Sequence, residues 1–545
     1  MKKILMFLLL GVLALTFASC TIPDSTPDNP VTGVDCALYP THVDCLVDEP
    51  DPIAPGIVNV LDELPDEQIT VTFWHVYGQS KEALLLEYIA EFEEMYPNIT
   101  ISAASQGGYD DLRNKTGLAI TSGIAPTMVV AYPDHVAGYL NSEAVVPLDD
   151  FIYDETWGLT EADGETIGLG DFVDSYVDEN RQYQGGYMYS IPYSKSTEMM
   201  VYNKTIVEAN GLTVPTDRAL SFSELETLAD TLVGEGANQC EYLVNYDSSA
   251  NLFINNVRMW GGGYTNIAGD ILVEDTETIS MLNTMKDYFE DKTVALPIAW
   301  NQQYGSTNFL AGDSCMTVGS TAGISYNVPT DGAFEIGVAP IPQWDEDNKA
   351  ATQQGPNIAL LTSSTDAERL AAWLFTKYIT DTKQTALWSM ETGYLPVRYS
   401  AFESDFYQFF LGINDIESDG VDALISNYVG NEVIDPTIEN LVGYFEDEKD
   451  DLHAYYEALI GSAQTDEYVL KQEYLNMKDK KYQSMAAQAG YVQLDYYAYD
   501  PAFATQQTTS SDARVQAEIV MNAIFVGNYT VEEAIEDMMY QLGAK

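Results

Sequence analysis

Alternation of apolar and polar residues defines the first clearly patterned segment of the chain, which begins at Ile69. Residues 69–74 run Ile-Thr-Val-Thr-Phe-Trp, and such alternation of branched and aromatic side chains is typical of a β-strand. Residues 81–95 place leucines and aromatics at helical spacing, and 99–102 (Ile-Thr-Ile-Ser) predict a second strand. A strand, a helix and a strand at this spacing predict a βαβ unit in a mainly parallel sheet.

The same periodicities recur along the rest of the chain. They predict a strand over 127–132 and helices over 110–122, 135–142, 221–232, 279–290, 366–378, 383–390, 512–525 and 531–542. Capping boxes, in which Ser or Thr is followed three residues later by Glu, are predicted at Ser223, Thr365 and Thr530. Strands that alternate with helices in this way predict an α/β fold.

The N-terminal residues have the pattern of an export signal. Two lysines precede an apolar run over 4–17, and the small residues Ala18 and Ser19 come directly before Cys20. The run is too short to span a membrane comfortably. The arrangement resembles a bacterial lipoprotein signal, which implies removal of residues 1–19 and attachment of a diacylglycerol to the Cys20 sulfur. The alternative is cleavage to a free secreted protein, and both place the protein outside the cytoplasm.

Residues 20–66 have the composition of a tether. They contain eight prolines, ten Asp or Glu residues and no Lys or Arg. Proline interrupts regular structure and like charges extend a chain. We therefore expect an acidic, Pro-rich stalk that holds the folded body away from the membrane.

The composition supports two globular lobes and limits the partners. The 545 residues are 46% hydrophobic, which is ample for two cores, and no other apolar run approaches membrane-spanning length. The formal charge is 24 − 84 = −60. Such a surface repels nucleic acid and anionic lipid, so neither is expected as a partner.

Cysteine spacing gives one disulfide candidate outside the folded body. Cys36 and Cys45 could close a small loop in an oxidising compartment. Cys240 and Cys315 are interpreted as buried thiols, and the sequence leaves open whether they are bonded. The chain has no C-x-x-C pair, so a zinc site of that kind is not expected, nor is any cofactor.

Nine short motifs extend the interpretation from fold to family. They are Ile-Thr-Val-Thr-Phe-Trp-His (69–75), Phe-Glu-Glu-Met-Tyr-Pro-Asn (92–98), Ala-Pro-Thr-Met-Val-Val (125–130), Val-Pro-Leu-Asp-Asp (146–150), Ile-Pro-Tyr-Ser-Lys-Ser-Thr-Glu (191–198), Val-Tyr-Asn-Lys (201–204), Phe-Leu-Ala-Gly-Asp-Ser-Cys-Met-Thr (309–317), Thr-Gly-Tyr-Leu-Pro-Val-Arg (392–398) and Tyr-Thr-Val-Glu-Glu-Ala (529–534). Their order and spacing resemble the extracellular solute-binding proteins of ATP-driven (ABC) importers, in the family that binds sugars and glycerol 3-phosphate.

The resemblance implies a periplasmic-binding-protein-like fold with two α/β lobes and a ligand clamped between them. The implied division is 67–190 plus 320–378 for lobe one and 195–315 plus 379–545 for lobe two, with a helical insert over 402–500. Hinge crossings are expected at 191–196 and 316–320. The resemblance further implies that the protein is a monomer. Ligand binding is expected to close the two lobes, and the closed form is expected to present a surface to a membrane permease.

The resemblance also implies most of the ligand-binding residues. In the relatives, the loop after the first strand and a tyrosine after the second line the cleft. The implied candidates are Trp74, His75, Tyr77, Tyr109, Asp134, Ser196, Ser320, Gly355 and Tyr394. Each has a structural alternative, because strand aromatics also fill cores and hinge hydroxyls also cap turns.

The segment Trp260-Gly-Gly-Gly-Tyr264 is a candidate for stacking against the ligand, and this inference comes from its residue types and not from the resemblance. Flat rings held by glycines suit the apolar face of a pyranose. The alternative is a glycine turn beside a core tryptophan. Both Trp260 and Tyr264 are therefore included as candidate ligand contacts.

One departure from the family concerns phosphate. Glycerol-phosphate binders place an arginine in the loop before the penultimate helix, whereas residues 501–511 here contain no cation before Arg514. A phosphate without a cationic partner is poorly held. We therefore expect a neutral carbohydrate as the ligand, with Gln506 as a hydrogen-bonding candidate.

Two other functions remain open at this stage. A secreted carbohydrate-active hydrolase would need two carboxylates at a fixed separation across the cleft. A lipoprotein of the same fold could instead have an adhesive or sensory role. The sequence contains none of the common nucleotide-binding, zinc-protease or serine-hydrolase motifs, so a non-catalytic binding subunit is the expectation.

Overall fold

The computed structural model of the chain describes residues 58–183, 185–330, 332–344, 348–412, 480–527 and 529–545. The predictions for the signal peptide, Cys20 and the Cys36–Cys45 pair lie outside these residues, as does most of the expected insert at 402–500. Within the described ranges, no helix has the length and apolar character needed to cross a membrane.

The strands and helices alternate along most of the chain. The strands are Ile69–His75 (β1), Ile99–Ser105 (β2), Met128–Ala131 (β3), Ile191–Pro192 (β4), Glu198–Asn203 (β5), Tyr242–Tyr246 (β6), Val294–Ala295 (β7), Ser314–Ser320 (β8), Ile336–Ala339 (β9), Ala351–Thr352 (β10), Asn357–Leu360 (β11) and Tyr497–Ala498 (β12). The α-helices are Gln79–Met95 (α1), Tyr109–Ser122 (α2), Pro133–Leu140 (α3), Asp149–Ile152 (α4), Asp174–Arg181 (α5), Lys204–Ala209 (α6), Phe222–Leu232 (α7), Ser249–Trp260 (α8), Thr276–Glu290 (α9), Gly305–Ala311 (α10), Asp366–Ile379 (α11), Thr382–Thr392 (α12), Tyr399–Glu403 (α13), Asp405–Gly412 (α14), Lys481–Val492 (α15), Ser510–Val526 (α16) and Val531–Gln541 (α17).

Ten of these strands form two five-stranded sheets, and each sheet has its own hydrophobic core. The first has the order β2-β1-β3-β11-β4, and the second has the order β7-β6-β8-β5-β9. The predicted βαβ unit is confirmed, because β1 and β2 pair in parallel from Ile69 opposite Ile99 to His75 opposite Ser105. Separate clusters of buried apolar side chains surround the two sheets. The expected two-lobe α/β fold is therefore confirmed.

The expected lobe boundaries need two corrections. Strand β9 pairs with β5 in the second sheet, so the stretch after residue 320 belongs to lobe two as far as β9. Helices α12, α13 and α14 pack into the core of lobe one instead of lobe two, with Trp388, Phe402 and Phe410 fully buried there. Sheet pairing and burial, which local patterns do not encode, decide both assignments.

The crossings between the lobes also differ in part from the expectation. One lies between β4 and β5, at the predicted place. Residues 316–320 are not a crossing, because they belong to β8 inside the second sheet. The second crossing runs instead from β9 to β11 and includes β10, which pairs with β12.

Helix α15 lies against both lobes behind these crossings. The Ser484 hydroxyl donates to the Phe410 carbonyl oxygen of lobe one at 2.6 Å. Gln493 Nε2, just after the helix, donates to the Glu198 carbonyl oxygen of lobe two at 2.5 Å. This part of the predicted insert is therefore built into the hinge region.

The C-terminal end of the predicted tether is folded onto lobe one. The Val58 amide donates to Asp150 Oδ2 at 2.7 Å, and Asn98 Nδ2 donates to the Pro65 carbonyl oxygen at 2.7 Å. Val60, Leu61 and Leu64 pack against the core of this lobe. The prediction of an extended stalk is therefore wrong for residues 58–66.

Cys240 and Cys315 are buried in lobe two as expected, and the bond that the sequence left open between them is a disulfide, so they are not thiols. The capping boxes at Thr365 and Thr530 are confirmed. The capping box predicted at Ser223 lies two residues earlier, at Ser221. The Ser221 side chain accepts a hydrogen bond from the Glu224 amide and caps the start of α7.

Candidate functional site

A cleft of about 300 Å³ lies between the two lobes. Its lining combines tyrosines, carboxylates, arginines and glutamines from both lobes and from the second crossing. The lining residues are Tyr109, Asp110, Arg113, Tyr132, Pro133, Asp134, His135, Glu179, Tyr264, Gln353, Gln354, Asp500, Pro501, Ala502, Ser510, Ser511 and Arg514. A site with apolar rings and several fixed polar groups suits a small polar ligand.

The wall from lobe one is formed where α2 and α3 begin. Each helix follows a parallel strand, so its first turn lies at the carboxyl edge of the sheet, where ligands bind in open α/β folds. The rings of Tyr109 and Tyr132 pack edge to face at 4.6 Å, and the Tyr109 hydroxyl lies 3.2 Å from that of Tyr394. Burial raises the pKa of Tyr109 well above its ordinary value, so this hydroxyl keeps its proton.

The wall from lobe two is organised around Arg514 in α16. Its Nη1 lies 2.6 Å from Asp500 Oδ2, while Arg258 Nη2 lies 2.9 Å from Asp500 Oδ1. Arg514 Nη2 also donates to the side-chain oxygen of Asn251. Asp500 is therefore shared by two guanidinium groups, and this trio carries a net positive charge in the wall from lobe two.

The floor of the cleft is formed by Glu179 and Gln353 above a buried lysine. Lys195 Nζ lies 2.5 Å from Glu179 Oε2, and both side chains are almost completely buried. Gln353 Nε2 donates to Glu179 Oε1 at 3.1 Å and to the Ser175 carbonyl oxygen at 3.0 Å. Burial lowers the pKa of the Lys195 ammonium, and Glu179 opposes this effect.

Most charges in the cleft are compensated within the protein. Asp110 lies 3.4 Å from Arg113, Glu179 pairs with Lys195, and Asp500 is shared by Arg258 and Arg514. The loop over 501–511 supplies no cation, but Arg113 and Arg514 both line the cleft, so the absence of an arginine from that loop does not leave the cleft without one. Neither of them is free of a carboxylate partner, however.

Asp134 is the exception among the lining carboxylates that the structure describes. It accepts a hydrogen bond from the Ser511 hydroxyl, and its Oδ1 lies 4.0 Å from His135 Nε2. Burial lowers the pKa of His135, which keeps the imidazole neutral near pH 7, although Asp134 opposes the shift. Ser511 also accepts from Arg113 Nη1 at 3.1 Å. Its hydroxyl thus joins α16 of lobe two to α2 and α3 of lobe one.

The structure brings three of the predicted site residues into the cleft lining, namely Tyr109, Asp134 and Tyr264. Tyr394 lies directly behind this lining through its hydroxyl contact with Tyr109. Whether these side chains contact a ligand remains a prediction.

The candidates at the end of β1 and just after it lie in the interior of lobe one. Trp74 packs against the core, and His75 Nδ1 accepts the Tyr77 amide at 3.2 Å. The Tyr77 hydroxyl lies 2.7 Å from Ser194 Oγ, and the Tyr77 side chain is 2% exposed. These three residues support the cleft wall from behind and do not line it.

The three hinge candidates have structural roles. Ser196 exchanges two backbone hydrogen bonds of 2.8 Å with Gln354 and thereby couples the first two crossings. Gly355 has a φ of +106°, and a Cβ there would lie 1.9 Å from the Ser194 carbonyl oxygen, so only glycine fits. Ser320 Oγ accepts the Ala322 amide at 3.3 Å and starts a 3₁₀ helix.

Two predicted ligand contacts lie outside the cleft lining. Trp260 is the last residue of α8, and its ring packs edge to face on Trp344 at 4.1 Å within lobe two. A Cβ at Gly263 would lie 2.6 Å from the Leu272 carbonyl oxygen, so this glycine permits close packing instead of ligand access. Gln506 is exposed in the turn between Ala504 and Thr509 and does not line the cleft.

Sequence reasoning missed several lining residues, chiefly Arg113, Glu179, Gln353 and Asp500. Arg113 was detectable as a cation one helical turn after Tyr109. The presence of Glu179, Gln353 and Asp500 in the lining depends on the path of the crossings between the lobes, which no local sequence pattern shows. Among the described residues, no group of three or more His, Cys, Asp or Glu side chains could hold a metal ion.

Comparison with known proteins is consistent with this geometry. Residues 87–409 match the profile of the bacterial extracellular solute-binding proteins. The sn-glycerol-3-phosphate-binding periplasmic protein UgpB of Salmonella typhimurium is 21% identical over 346 residues, which cover 61% of this chain and 75% of the relative. The protein of the same name from Escherichia coli K12 is 23% identical over 362 residues, with coverages of 62% and 77%.

Solved structures share the fold at low sequence identity. UgpB from Mycobacterium tuberculosis, in complex with glycerophosphocholine, has a TM-score of 0.57 at 18% identity and covers 87% of this chain and 98% of its own. A cyclic α-maltosyl-1,6-maltose binding protein from Arthrobacter globiformis has a TM-score of 0.59 at 17% identity, with coverages of 88% and 98%.

Proposed function

The chain belongs to the bacterial extracellular solute-binding protein family of ABC importers, and we propose that its cleft binds a carbohydrate that carries no free phosphate. The observation that supports this ligand class is the internal pairing of the cleft arginines. Arg514 is held by Asp500 and Arg113 by Asp110. A phosphate would compete with a carboxylate for either cation, whereas a hydroxyl can share the existing network.

The tyrosines provide the second argument for a carbohydrate. Tyr109, Tyr132 and Tyr264 line the cleft together with amide and carboxylate side chains. Aromatic faces suit the C–H faces of a sugar ring, and fixed polar groups suit its hydroxyls. The relative from Arthrobacter globiformis, which binds a cyclic maltosyl oligosaccharide according to its name, shares the fold.

Binding would stabilise the closed arrangement of the lobes. A ligand in this cleft contacts α2 and α3 from lobe one and α16 from lobe two at the same time. Because an open form offers only one wall, the ligand has a higher affinity for the closed form and shifts the population toward it. Closure would in turn present a surface to the permease.

A glycerol phosphate ester is the second candidate. It is favoured by the position of Arg514 inside the cleft and by the names of the relatives from Salmonella and Escherichia coli. Such an ester would compete with Asp500 for Arg514, while Asp500 would keep its contact with Arg258.

The cellular context is part of the same proposal. We infer that the mature protein is a monomer on the outer face of the cell membrane, anchored through a lipid at Cys20, and that it has no catalytic role. Labelling with a radioactive fatty acid, lost in a Cys20→Ala variant, would test the anchor. Incubation with oligosaccharides, followed by chromatography for released sugars, would test the absence of hydrolysis.

The ligand class can be tested by thermal unfolding. Residues 20–545 with Cys20→Ser would be heated with maltose, maltotriose, cellobiose, glycerol 3-phosphate or glycerophosphocholine. A ligand at about a hundred times its Kd stabilises the fold by about 2.7 kcal/mol, which raises Tm by a few degrees. We expect a shift with a neutral sugar. A shift only with the two phosphate esters would contradict the carbohydrate proposal and support the second candidate.

A further inference from the structure

The two lobes contact each other directly along the segment 501–511, which leads into α16 of lobe two. Hydrogen bonds join this segment to lobe one at three separate places. The Ala502 amide donates to Gln182 Oε1, just after α5, at 2.5 Å. Asn141 Nδ2, just after α3, donates to the Ala504 carbonyl oxygen at 3.1 Å.

The third place is the Ser511 hydroxyl, in the first turn of α16. It donates to the Asp134 carboxylate in α3 and accepts from Arg113 Nη1 in α2 at 3.1 Å. All three side chains line the cleft. Because these bonds run directly from one lobe to the other, they define a closed arrangement of the lobes. A ligand that leaves them intact must fit the space between the lobes in this arrangement.

That space is small for an oligosaccharide. The cleft has a volume of about 300 Å³, which is the lower limit of the range of about 300–1,000 Å³ for ligand sites. An apolar cavity of about 150 Å³ holds one benzene ring. On this scale the cleft has room for about one hexose, and a second sugar unit must extend toward its opening.

The aromatic surface in the cleft is also limited. Aromatic rings provide the stacking surface for sugars, and a longer chain needs more of it. All seven tryptophans lie within the described residues, and none of them lines the cleft. Tyr109 and Tyr132 pack edge to face on each other at 4.6 Å, and Tyr264 is only 6% exposed. This surface suits one or two sugar units.

We propose that the cleft selects a mono- or disaccharide and excludes longer chains. This inference rests on the proposed function and adds the length of the ligand to it. A third sugar unit has no lining of its own. Room for it between the lobes requires the segment 501–511 to move away from lobe one, with loss of the hydrogen bonds of Ser511 and Asn141.

Two series of sugars test the inference on residues 20–545 with Cys20→Ser. Calorimetric titrations would be made with glucose, with the α-linked pair maltose and maltotriose, and with the β-linked pair cellobiose and cellotriose. We expect glucose or a disaccharide to bind about tenfold or more tightly than the trisaccharide of the same linkage, because loss of one or two hydrogen bonds changes affinity by about this factor.

The outcomes separate this inference from the proposed function. Equal or tighter binding of a trisaccharide than of its disaccharide and of glucose would overturn the length limit and leave the carbohydrate proposal standing. Absence of binding by all five sugars would overturn the carbohydrate proposal, and the length limit would fall with it.

A double variant assigns the limit to the contacts between the lobes, with the ratio of disaccharide to trisaccharide affinity as the readout. Ser511→Ala with Asn141→Ala removes two of the contacts, so we expect the ratio to fall toward one. Ser280→Ala with Asn283→Ala makes the same substitutions on the exposed face of α9 and should keep the ratio. A ratio unchanged in the first variant would refute the assignment to these contacts, whatever its effect on stability.

Discussion

Lys195 on the first crossing and Glu179 in α5 form an ion pair of 2.5 Å beneath the floor of the cleft, and both side chains are at most 3% exposed. Lys195 Nζ also donates to the Gly355 carbonyl oxygen at 3.1 Å and to Asn357 Oδ1 at 3.3 Å. The pair thus ties the first crossing to the second and positions Gln353 through Glu179. It sets the geometry of the cleft floor from within lobe one.

Removal of one partner from this pair should be strongly destabilising. Lys195→Met leaves a buried carboxylate without its cation, which typically costs about 3–5 kcal/mol. Denaturant unfolding would measure the change in the free energy of unfolding. The double variant Lys195→Met with Glu179→Gln should recover a large part of the loss, because no buried charge remains. If the double variant were no more stable than the single one, the loss would come from packing and not from the isolated charge.

The disulfide between Cys240 and Cys315 should stabilise lobe two. The two cysteines are 75 residues apart in sequence, and in the chain-entropy model a loop of this length contributes about 4 kcal/mol. We expect Cys240→Ala with Cys315→Ala to lower Tm by many degrees. A reductant should lower the Tm of the native chain and leave that of the variant unchanged. Equal Tm values for the native chain and the variant without reductant would contradict this role.

The fold was largely predictable because its elements carry local signals. The βαβ unit that starts at Ile69 follows from residue periodicity, and the capping boxes at Thr365 and Thr530 follow from three-residue spacing. The error at Ser223 shows the limit of this approach. Ser221, Ser223, Glu224 and Glu226 offer two boxes of the same form, and the packing of Phe222 into lobe two selects the first.

The site was predictable only where a residue lies next to a recognisable element. Tyr109 lies at the first turn of a helix after a parallel strand, at the carboxyl edge of the sheet, where ligands bind in open α/β folds. Gln353 and Glu179 meet across 174 residues of sequence. Their contact depends on the course of the second crossing, which pairing between distant strands determines. Trp260 was misplaced because α8 was not predicted, and a tryptophan at a helix end near Trp344 packs internally.

Substitution of Trp260 should affect mainly the stability of the protein, whereas substitution of Tyr264 should affect mainly ligand binding. Trp260→Ala removes the ring that packs on Trp344 and should lower the free energy of unfolding by about 3 kcal/mol, with little change in affinity. Tyr264 lines the cleft, so Tyr264→Ala should weaken binding of the sugar found by thermal unfolding by about 1–3 kcal/mol. Calorimetric titration of both folded variants would measure this difference. A larger loss of affinity in Trp260→Ala would restore the stacking interpretation of that residue.

Glu198 should give the protein a measurable loss of stability between about pH 4.5 and pH 7. Burial raises the pKa of its carboxyl from 4.5 to about 7, although hydrogen bonds from Asn251 and Asn255 oppose the shift. In this window the unfolded chain releases the proton while the folded chain keeps it, so the free energy of unfolding falls as pH rises. A shift of this size corresponds to about 3 kcal/mol, with no further change above the folded pKa.

The measurement compares the native chain with Glu198→Gln by denaturant unfolding across that window. The variant cannot ionise at this position, so its stability relative to the native chain should increase as pH rises from 4.5 to 7. The other carboxylates titrate in both proteins and cancel in the difference. Parallel pH profiles would show that the carboxyl is already ionised in the folded chain, with the amides of Asn251 and Asn255, at 2.7 Å and 2.8 Å, and the nearby Arg514 stabilising its charge.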